Sequence, residues 1–398
     1  MPRRLWINES RDMANAVFES CETSIFEIMS RLAEAHGAIN LGQGFPEGLE
    51  PAELIEAGVE ALRQGPHQYP PMMGLPALRR AVAENARRFF GLEADWESEV
   101  LITSGATEAL CDAFLGLLNP GDEVILFEPV YDSYGPIIRR AGAVPVPVAL
   151  EPPHWDLPRE KLLAALSPRT RAIVVNSPMN PIGKVFRADE IRLLADCLLS
   201  HDLIAICDEV YEHIVFDGRR HASLFSLPDV RDRVVRIGSA GKTFSVTGWK
   251  VGYVMADARL LTPIARAHQF VTFTTPPALQ AAVAFGLQMP DGYFDELKAK
   301  LAARRDFLIA GLRDIGFDAR PAPGAYFAMA AFGGLDHEGD DLAFCRRLTV
   351  EAGVTAVTLS AYYSGREKRG HIRFCFAKTP ETLEAAIARL AAWRKAKF

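Results

Sequence analysis

The stretch "VVRIGSAGKTFSVTGWKVGY" places Lys242 directly after an apolar run, among small and hydroxyl residues. No acidic neighbour pairs it locally, and Lys250 follows in the same uncompensated state. Two such amines call for an anionic or electrophilic group that the chain does not supply. A lysine in a confined site loses its proton more easily and becomes nucleophilic. The plain alternative is an exposed loop lysine.

Three further motifs have side chains suited to chemistry. In "LITSGATEAL" an apolar run ends at Thr103, and Gly105, Ala106 and Thr107 open a helical pattern. Small residues there let backbone N–H groups meet an anion at a helix N-terminus, with the Thr107 hydroxyl as a further donor. A simple cap by Ser104 or Thr107 explains the same residues. In "LIAICDEVY" an apolar strand ends on Asp208, where an unpaired carboxylate is costly. Glu209 reads as a cap or a solvent-facing group, and Tyr211 stands close enough to reach the same place. A helix-capping Asp208 is the competing account. In "NSPMNPIG", Asn180 before Pro181 and Gly183 is turn chemistry that also leaves an amide free for a ligand oxygen. Taken alone, a rigid turn explains it better. Finally, strand alternation in "HIRFCFA" sets Ile372, Phe374 and Phe376 on one face and His371, Arg373 and Cys375 on the other. A guanidinium facing away from an apolar layer suits a carboxylate held by two parallel bonds. A surface strand charge is the alternative.

These residues need elements to converge them. Seven β-rich runs, "VLITSG", "EVILFEP", "AVPVPVAL", "AIVVNSP", "LIAICDE", "VVRIGSAG" and "VGYVMA", alternate with helical stretches such as "DLPREKLLAAL" and "ADEIRLLADCLLSHD". Several are continuously apolar, as strands covered on both faces must be. The first helical stretch has an Asp cap signal and a proline near its start. The pattern predicts an α/β fold with a mainly parallel seven-stranded sheet wrapped by helices. Ligands in such sheets bind at the carboxyl ends of the strands. After about Leu287 the pattern changes. "GYFDELKAKLAARRDFLIAGLRDIG" lines Phe294, Leu297, Leu301, Leu308 and Leu312 along one helical face, with Gly316 as C-cap. Strand "AYFAMAAF", helix "DLAFCRRLTVEAG", strands "VTAVTL" and "HIRFCFA", and a final helix complete a smaller α+β domain. The organisation read from this is an N-terminal segment 1–44 packing with the small domain, a large domain 45–287 and a small domain 288–398.

The composition fits. The 398 residues are 49% hydrophobic and 24% charged, with a formal net charge of −6. That charge argues against nucleic acid as a partner. "MPRRLWINES" has no apolar core of a signal peptide, and no apolar run reaches membrane-spanning length. The six cysteines form no C-x-x-C pair or metal spacing, so they read as reduced thiols of a cytoplasmic protein without a metal.

In order and spacing, "INLGQGFPE", "QYPPMMGLPALR", "SGATEAL", "NSPMNPIG", "DEVYEH", "SAGKTFSVTGWKVGY" and "HIRFCFA" resemble the fold-type I, pyridoxal-phosphate-dependent aminotransferases of class I/II. The resemblance spans nearly the whole chain. It is closest to the branch holding kynurenine/glutamine transaminases, methionine aminotransferases and cysteine-conjugate β-lyases. It implies that Lys242 forms a Schiff base with pyridoxal 5′-phosphate (PLP). Gly105, Ala106, Thr107, Ser239 and Lys250 would hold the phosphate. Many relatives carry Arg at the position of Lys250, and the change keeps the charge while losing bidentate geometry. Asp208 would pair with the pyridinium nitrogen, Asn180 and Tyr211 would bond the ring hydroxyl, and Tyr131 would stack on the ring. Tyr69 would reach the cofactor phosphate of a neighbouring subunit, implying a homodimer. Arg373 and the Gly42 backbone would hold the substrate α-carboxylate, with Phe26, Phe273 and Thr274 near its side chain.

The expected activity is transfer of the amino group of a neutral L-amino acid (apolar, aromatic, methionine- or glutamine-like) to a 2-oxo acid, through pyridoxamine phosphate. Near Thr274, kynurenine enzymes carry a histidine that this chain lacks, and no arginine there suits an acidic side chain. Elimination of a Cβ leaving group, an N-succinyldiaminopimelate substrate, and a non-catalytic PLP-binding regulator are the competing readings.

Overall fold

The structure is a computed structural model and describes residues 15–336, 340–365, 367 and 370–397. Residues 1–14 of the expected N-terminal segment, including "MPRRLWINES", lie outside the described residues.

The Ile25–Ala35 helix is capped by Ser24, whose side chain accepts from the Glu27 amide. It leads into β1 (Ile39–Asn40). The seven apolar runs form β2 (Val100–Thr103), β3 (Glu123–Glu128), β4 (Val144–Ala149), β5 (Thr170–Asn176), β6 (Ile204–Asp208), β7 (Val234–Ser239) and β8 (Gly252–Ala256). They make one sheet in the order β2-β8-β7-β6-β5-β3-β4. The β3, β4, β5, β6 and β7 pairings are parallel, whereas β8 runs antiparallel to both β2 and β7. Strands β2, β3, β6, β7 and β8 are buried along their whole length, which is why their sequences are mostly apolar, with the charges of β3 and β6 at strand ends and Arg236 of β7 paired.

The remaining strands are β9 (Asp318–Ala319), β10 (Phe327–Ala331), β11 (Val354–Thr355), β12 (Val357–Thr358) and β13 (His371–Cys375). Four of them form an antiparallel sheet in the order β12-β13-β10-β9. The run "VTAVTL" is not one strand. Its first half pairs in parallel with β1 and its second half with β13, so the chain changes sheets at Ala356. The "DLPREKLLAAL" helix also differs from expectation: it begins at Arg159 after Pro158, and no side chain caps it. Proline fixes the backbone there, so the aspartate is not needed for the start.

The helix Asp291–Ile315 ends at Gly316 in the left-handed conformation, φ 110°. Its Phe294 packs in the core under the large sheet, while Leu297, Leu301, Leu308 and Leu312 pack in a second core with Phe344, Ile372 and Phe374. Met29 of the Ile25–Ala35 helix joins this second core. Among the described residues, no helix is long and apolar enough to cross a membrane.

Candidate active site

Parallel pairing fixes the register of the carboxyl ends. Asn176 on β5 lies opposite Asp208 on β6, and Asp208 lies opposite Ile237, two residues before Ser239 on β7. Asn180, Lys242 and the Ala106–Leu117 helix follow directly from these strand ends and from β2. The convergence lines a cavity of about 340 Å³. Lys242, Asp208, Tyr211, Asn180, Tyr131, Gly105, Ala106, Thr107, Ser239, Lys250, Arg373 and Phe26 all border it.

Lys242 makes no hydrogen bond or ion pair with any described residue, and its amine faces the rings of Tyr211 and Tyr326 at 5.7 and 5.9 Å. Burial lowers its pKa to about 8 against the opposing pull of Asp208. Asp208 is 5% exposed. Its Oδ2 accepts from the Tyr134 hydroxyl at 2.5 Å. Burial raises its pKa, with Tyr134 acting the other way. The carboxylate is thus short of positive charge in a place where a cation would be welcome.

The turn after β2 is built around glycine. Gly105 has φ 85°, and a Cβ there would stand 3.2 Å from Lys250 Nζ. A Cβ on Gly252 of β8 would meet the backbone of Gly105 and Ala106 at 2.6 and 2.8 Å. The turn and β8 therefore touch through bare backbone. The Gly105 amide donates to Thr103 O at 2.8 Å. Gly105 therefore provides space, and the amides left to an anion are those of Ala106 and Thr107 at the helix start.

Arg373 is 1% exposed. Its Nη1 donates to Asn180 Oδ1 at 2.7 Å and its Nη2 to Gly42 O at 2.5 Å. Its guanidinium lies over Phe327 at 4.2 Å and Phe26 at 5.0 Å. Its Nε is buried with no hydrogen-bond partner among the described residues. The strand face carrying Arg373 is therefore turned to the cleft and not to bulk solvent. Gly42 is beside it, but the Gly42 amide donates to Asn40 Oδ1 at 2.9 Å.

Some residues singled out in the sequence stand elsewhere. Tyr69 is 80% exposed and packs edge-on against Phe273 at 5.4 Å between ring centres. Tyr69, Phe273 and Thr274 do not border the cavity of this chain. Glu209 neither caps a helix nor faces solvent: it is buried and paired with Arg236 at 2.7 Å, while Arg236 also meets Glu212. Burial forces that pairing. Two residues were missed. Tyr134 stands three residues after Tyr131 in the sequence, yet only the fold reveals its bond to Asp208. Asn176, the first residue of "NSPMNPIG", accepts from the Asn180 amide at 2.8 Å and donates to Asp208 O at 2.9 Å. It thus locks two site residues together.

The chain is similar to known proteins over most of its length. The family model for aminotransferase class I and II matches residues 36–390. The probable N-succinyldiaminopimelate aminotransferase DapC of Mycobacterium tuberculosis is 42% identical over 379 residues, covering 92% of this chain and 95% of its own. The methionine aminotransferase of Escherichia coli K12 is 40% identical over 368 residues, covering 92% and 95%. A crystal structure of YbdL from Escherichia coli, described with a methionine aminotransferase function, superposes with a TM-score of 0.92 at 39% identity, covering 96% of this chain and 99% of that one. The fold-type I architecture and the extent of these matches settle the family: the chain belongs to the class I and II aminotransferases, which depend on PLP and act on amino and oxo acids.

Proposed function

We propose that this aminotransferase takes L-amino acids with neutral side chains, with methionine-like and aromatic ones preferred. The observation that carries the reading is the distribution of charge in the cavity. Among its described lining residues the cations are Lys242, Lys250 and Arg373. Lys250 stands by Gly105 at the anion-binding turn, and Lys242 is central. Arg373 alone is left for the substrate; Phe26 and Phe327 lie against it, and Phe45, Tyr131 and Gln43 line the same cavity. A second carboxylate on the substrate would meet aromatic rings there, without a partner.

The residues present fit PLP. The Ala106 and Thr107 amides with Lys250 offer donors to a phosphate, and the charge-starved Asp208 suits a protonated pyridine nitrogen. When bound, PLP supplies a pyridinium ring that takes up the electron pair released as the substrate Cα–H bond breaks. In this reading Asp208 keeps the ring nitrogen protonated. Lys242 Nζ holds the cofactor and then carries the Cα proton, a role its lowered pKa favours. Arg373, with its unpartnered Nε, grips the α-carboxylate and so orients Cα toward Lys242. Tyr131 would stack on the ring, and Asn180 and Tyr211 would hold its hydroxyl, all three lining the cavity.

We further infer a homodimer. Tyr69, Phe270, Val271 and Phe273 are exposed apolar residues grouped near the site, at 80, 84, 49 and 40%, a patch that a second copy would cover. Sedimentation at micromolar concentration as a monomer would refute it. The six unpaired cysteines support a reducing compartment, the cytoplasm.

The substrate reading is tested by mixing holoenzyme with single amino acids, without oxo acid, and following the cofactor absorbance. Methionine, glutamine and phenylalanine are expected to convert it at least roughly tenfold faster than glutamate or N-succinyl-LL-diaminopimelate. The reverse order would overturn the neutral preference and favour the dicarboxylic reading.

A further inference from the structure

Behind the anion-binding turn, the Ala106–Leu117 helix packs against the Ala258–Val271 helix. Glu108, Asp112 and His268 meet at that contact, with their ligating atoms within 4.8 Å of one another. His268 is fully buried. Its Nδ1 lies 2.7 Å from Glu108 Oε1 and 3.6 Å from Asp112 Oδ2. Its Nε2 lies 3.2 Å from the Met72 carbonyl, which can only accept. Nε2 therefore carries a proton. Facing two carboxylates, Nδ1 carries one too, and the ring is an imidazolium with no lone pair left for a cation. Burial works against that charge, but the nearby Asp112 carboxylate and the bond to Glu108 outweigh it and raise the pKa to about 9.

The other end of Glu108 reaches the turn. Glu108 Oε2 accepts from the backbone N–H of Ser104, the residue before Gly105. The Ser104 hydroxyl meets that of Thr275 at 2.9 Å, beyond the same helix that carries His268. A relay thus runs from His268 through Glu108 to the peptide that orients the turn.

We propose that His268 is a positioning residue for the cofactor phosphate: held against Glu108, it fixes the Ser104 peptide and so aims the Ala106 and Thr107 amides at the anion. This rests on the reading of that turn as the phosphate site. His268 touches neither cofactor nor substrate. It acts by keeping the Glu108 carboxylate oriented and its charge neutralised, at the first turn of the helix whose N-terminus must face the phosphate. Without it, Glu108 would be a buried anion free to turn toward any other donor, and the Ser104 peptide would lose its tether.

Two variants separate this role from mere packing. Asn at 268 places an amide N–H near the position of Nδ1, keeping the bond to Glu108. Gln places its amide near Nε2, keeping the Met72 contact and losing Glu108. The measurement is the equilibrium binding of PLP, and of pyridoxal, which lacks the phosphate, to cofactor-free protein. His268→Gln is expected to weaken PLP roughly tenfold, as for loss of a hydrogen bond to a charged group, with pyridoxal unchanged and His268→Asn close to wild type. Equal weakening of PLP and pyridoxal, or no weakening in His268→Gln, would overturn the proposal. Should His268→Gln fail to fold, Glu108→Ala frees the Ser104 amide directly and is expected to show the same selective loss. Lys250→Met tests the underlying reading. If it does not weaken PLP relative to pyridoxal, the phosphate is not held at this turn, whatever the His268 variants do.

Discussion

The Tyr134 hydroxyl donates to Asp208 Oδ2 across 2.5 Å, joining the start of the Tyr134–Arg140 helix to the end of β6. This bond opposes the burial that raises the Asp208 pKa. In Tyr134→Phe the opposition is lost and the pKa rises further. Asp208 must be ionised to pair with a pyridinium, so activity falls as pH drops through its pKa. The expected result is a kcat about tenfold lower at neutral pH and an acid limb of the pH–kcat profile moved to higher pH. Steady-state kinetics from acid to neutral pH check both.

Arg373→Lys keeps a positive charge but loses the planar fork that bonds Asn180 and Gly42 together. KM for the amino acid is expected to rise at least roughly tenfold, more than kcat falls, because the interaction lost is with the carboxylate. Leaving Asn180 Oδ1 or Gly42 O unpaired also costs about 1–3 kcal/mol of stability. Paired kinetic and urea-unfolding measurements separate the two effects.

Replacing Lys242 by Met is expected to abolish turnover while leaving the protein folded. Stability supplies an independent check. The Lys242 pKa in the fold, about 8, lies below the ordinary 10.5. Between those values the unfolded chain binds more protons than the folded one, so this group makes cofactor-free wild type more stable as pH rises. The Met variant lacks that contribution. Its thermal midpoint should exceed wild type at about pH 7.5, and the advantage should shrink by about pH 10.

Arg236 is 1% exposed between Glu209 and Glu212, and Glu212 also accepts from the Tyr253 hydroxyl at 2.7 Å. Arg236→Met removes the guanidinium shared by two buried carboxylates, leaving Glu209 with His221 and Ser223 and Glu212 with Tyr253. A loss of roughly 3–5 kcal/mol is expected in chemical denaturation. A change within experimental error would show that the pair of glutamates is neutralised by other means.

What could be read from the residues alone followed from burial. The seven large-sheet strands were legible because most are covered on both faces and so carry long apolar runs. Arg373 was legible because one charge interrupts the apolar strand "HIRFCF". Tyr134 and Asn176 were not, because a tyrosine in a helix start and an asparagine in a turn have ordinary local explanations. Their partners lie 74 and 32 residues away along the chain. The division of "VTAVTL" between two sheets was equally hidden, since nothing local to Ala356 marks the change. Glu209 was misread for the same reason: its cation, Arg236, belongs to another strand.

The Asp291–Ile315 helix passes from one core to the other between Phe294 and Leu297, less than one turn. No glycine or proline interrupts it there. Arg373 belongs to the sheet on one side of that crossing, and Asp208 to the sheet on the other. The helix is therefore one stiff member joining the two halves, beside the direct chain Arg373–Asn180–Asn176–Asp208 that crosses the cleft. Bending it would break backbone hydrogen bonds, so the rod resists changes in a span that the Arg373–Asn180 bond also ties directly.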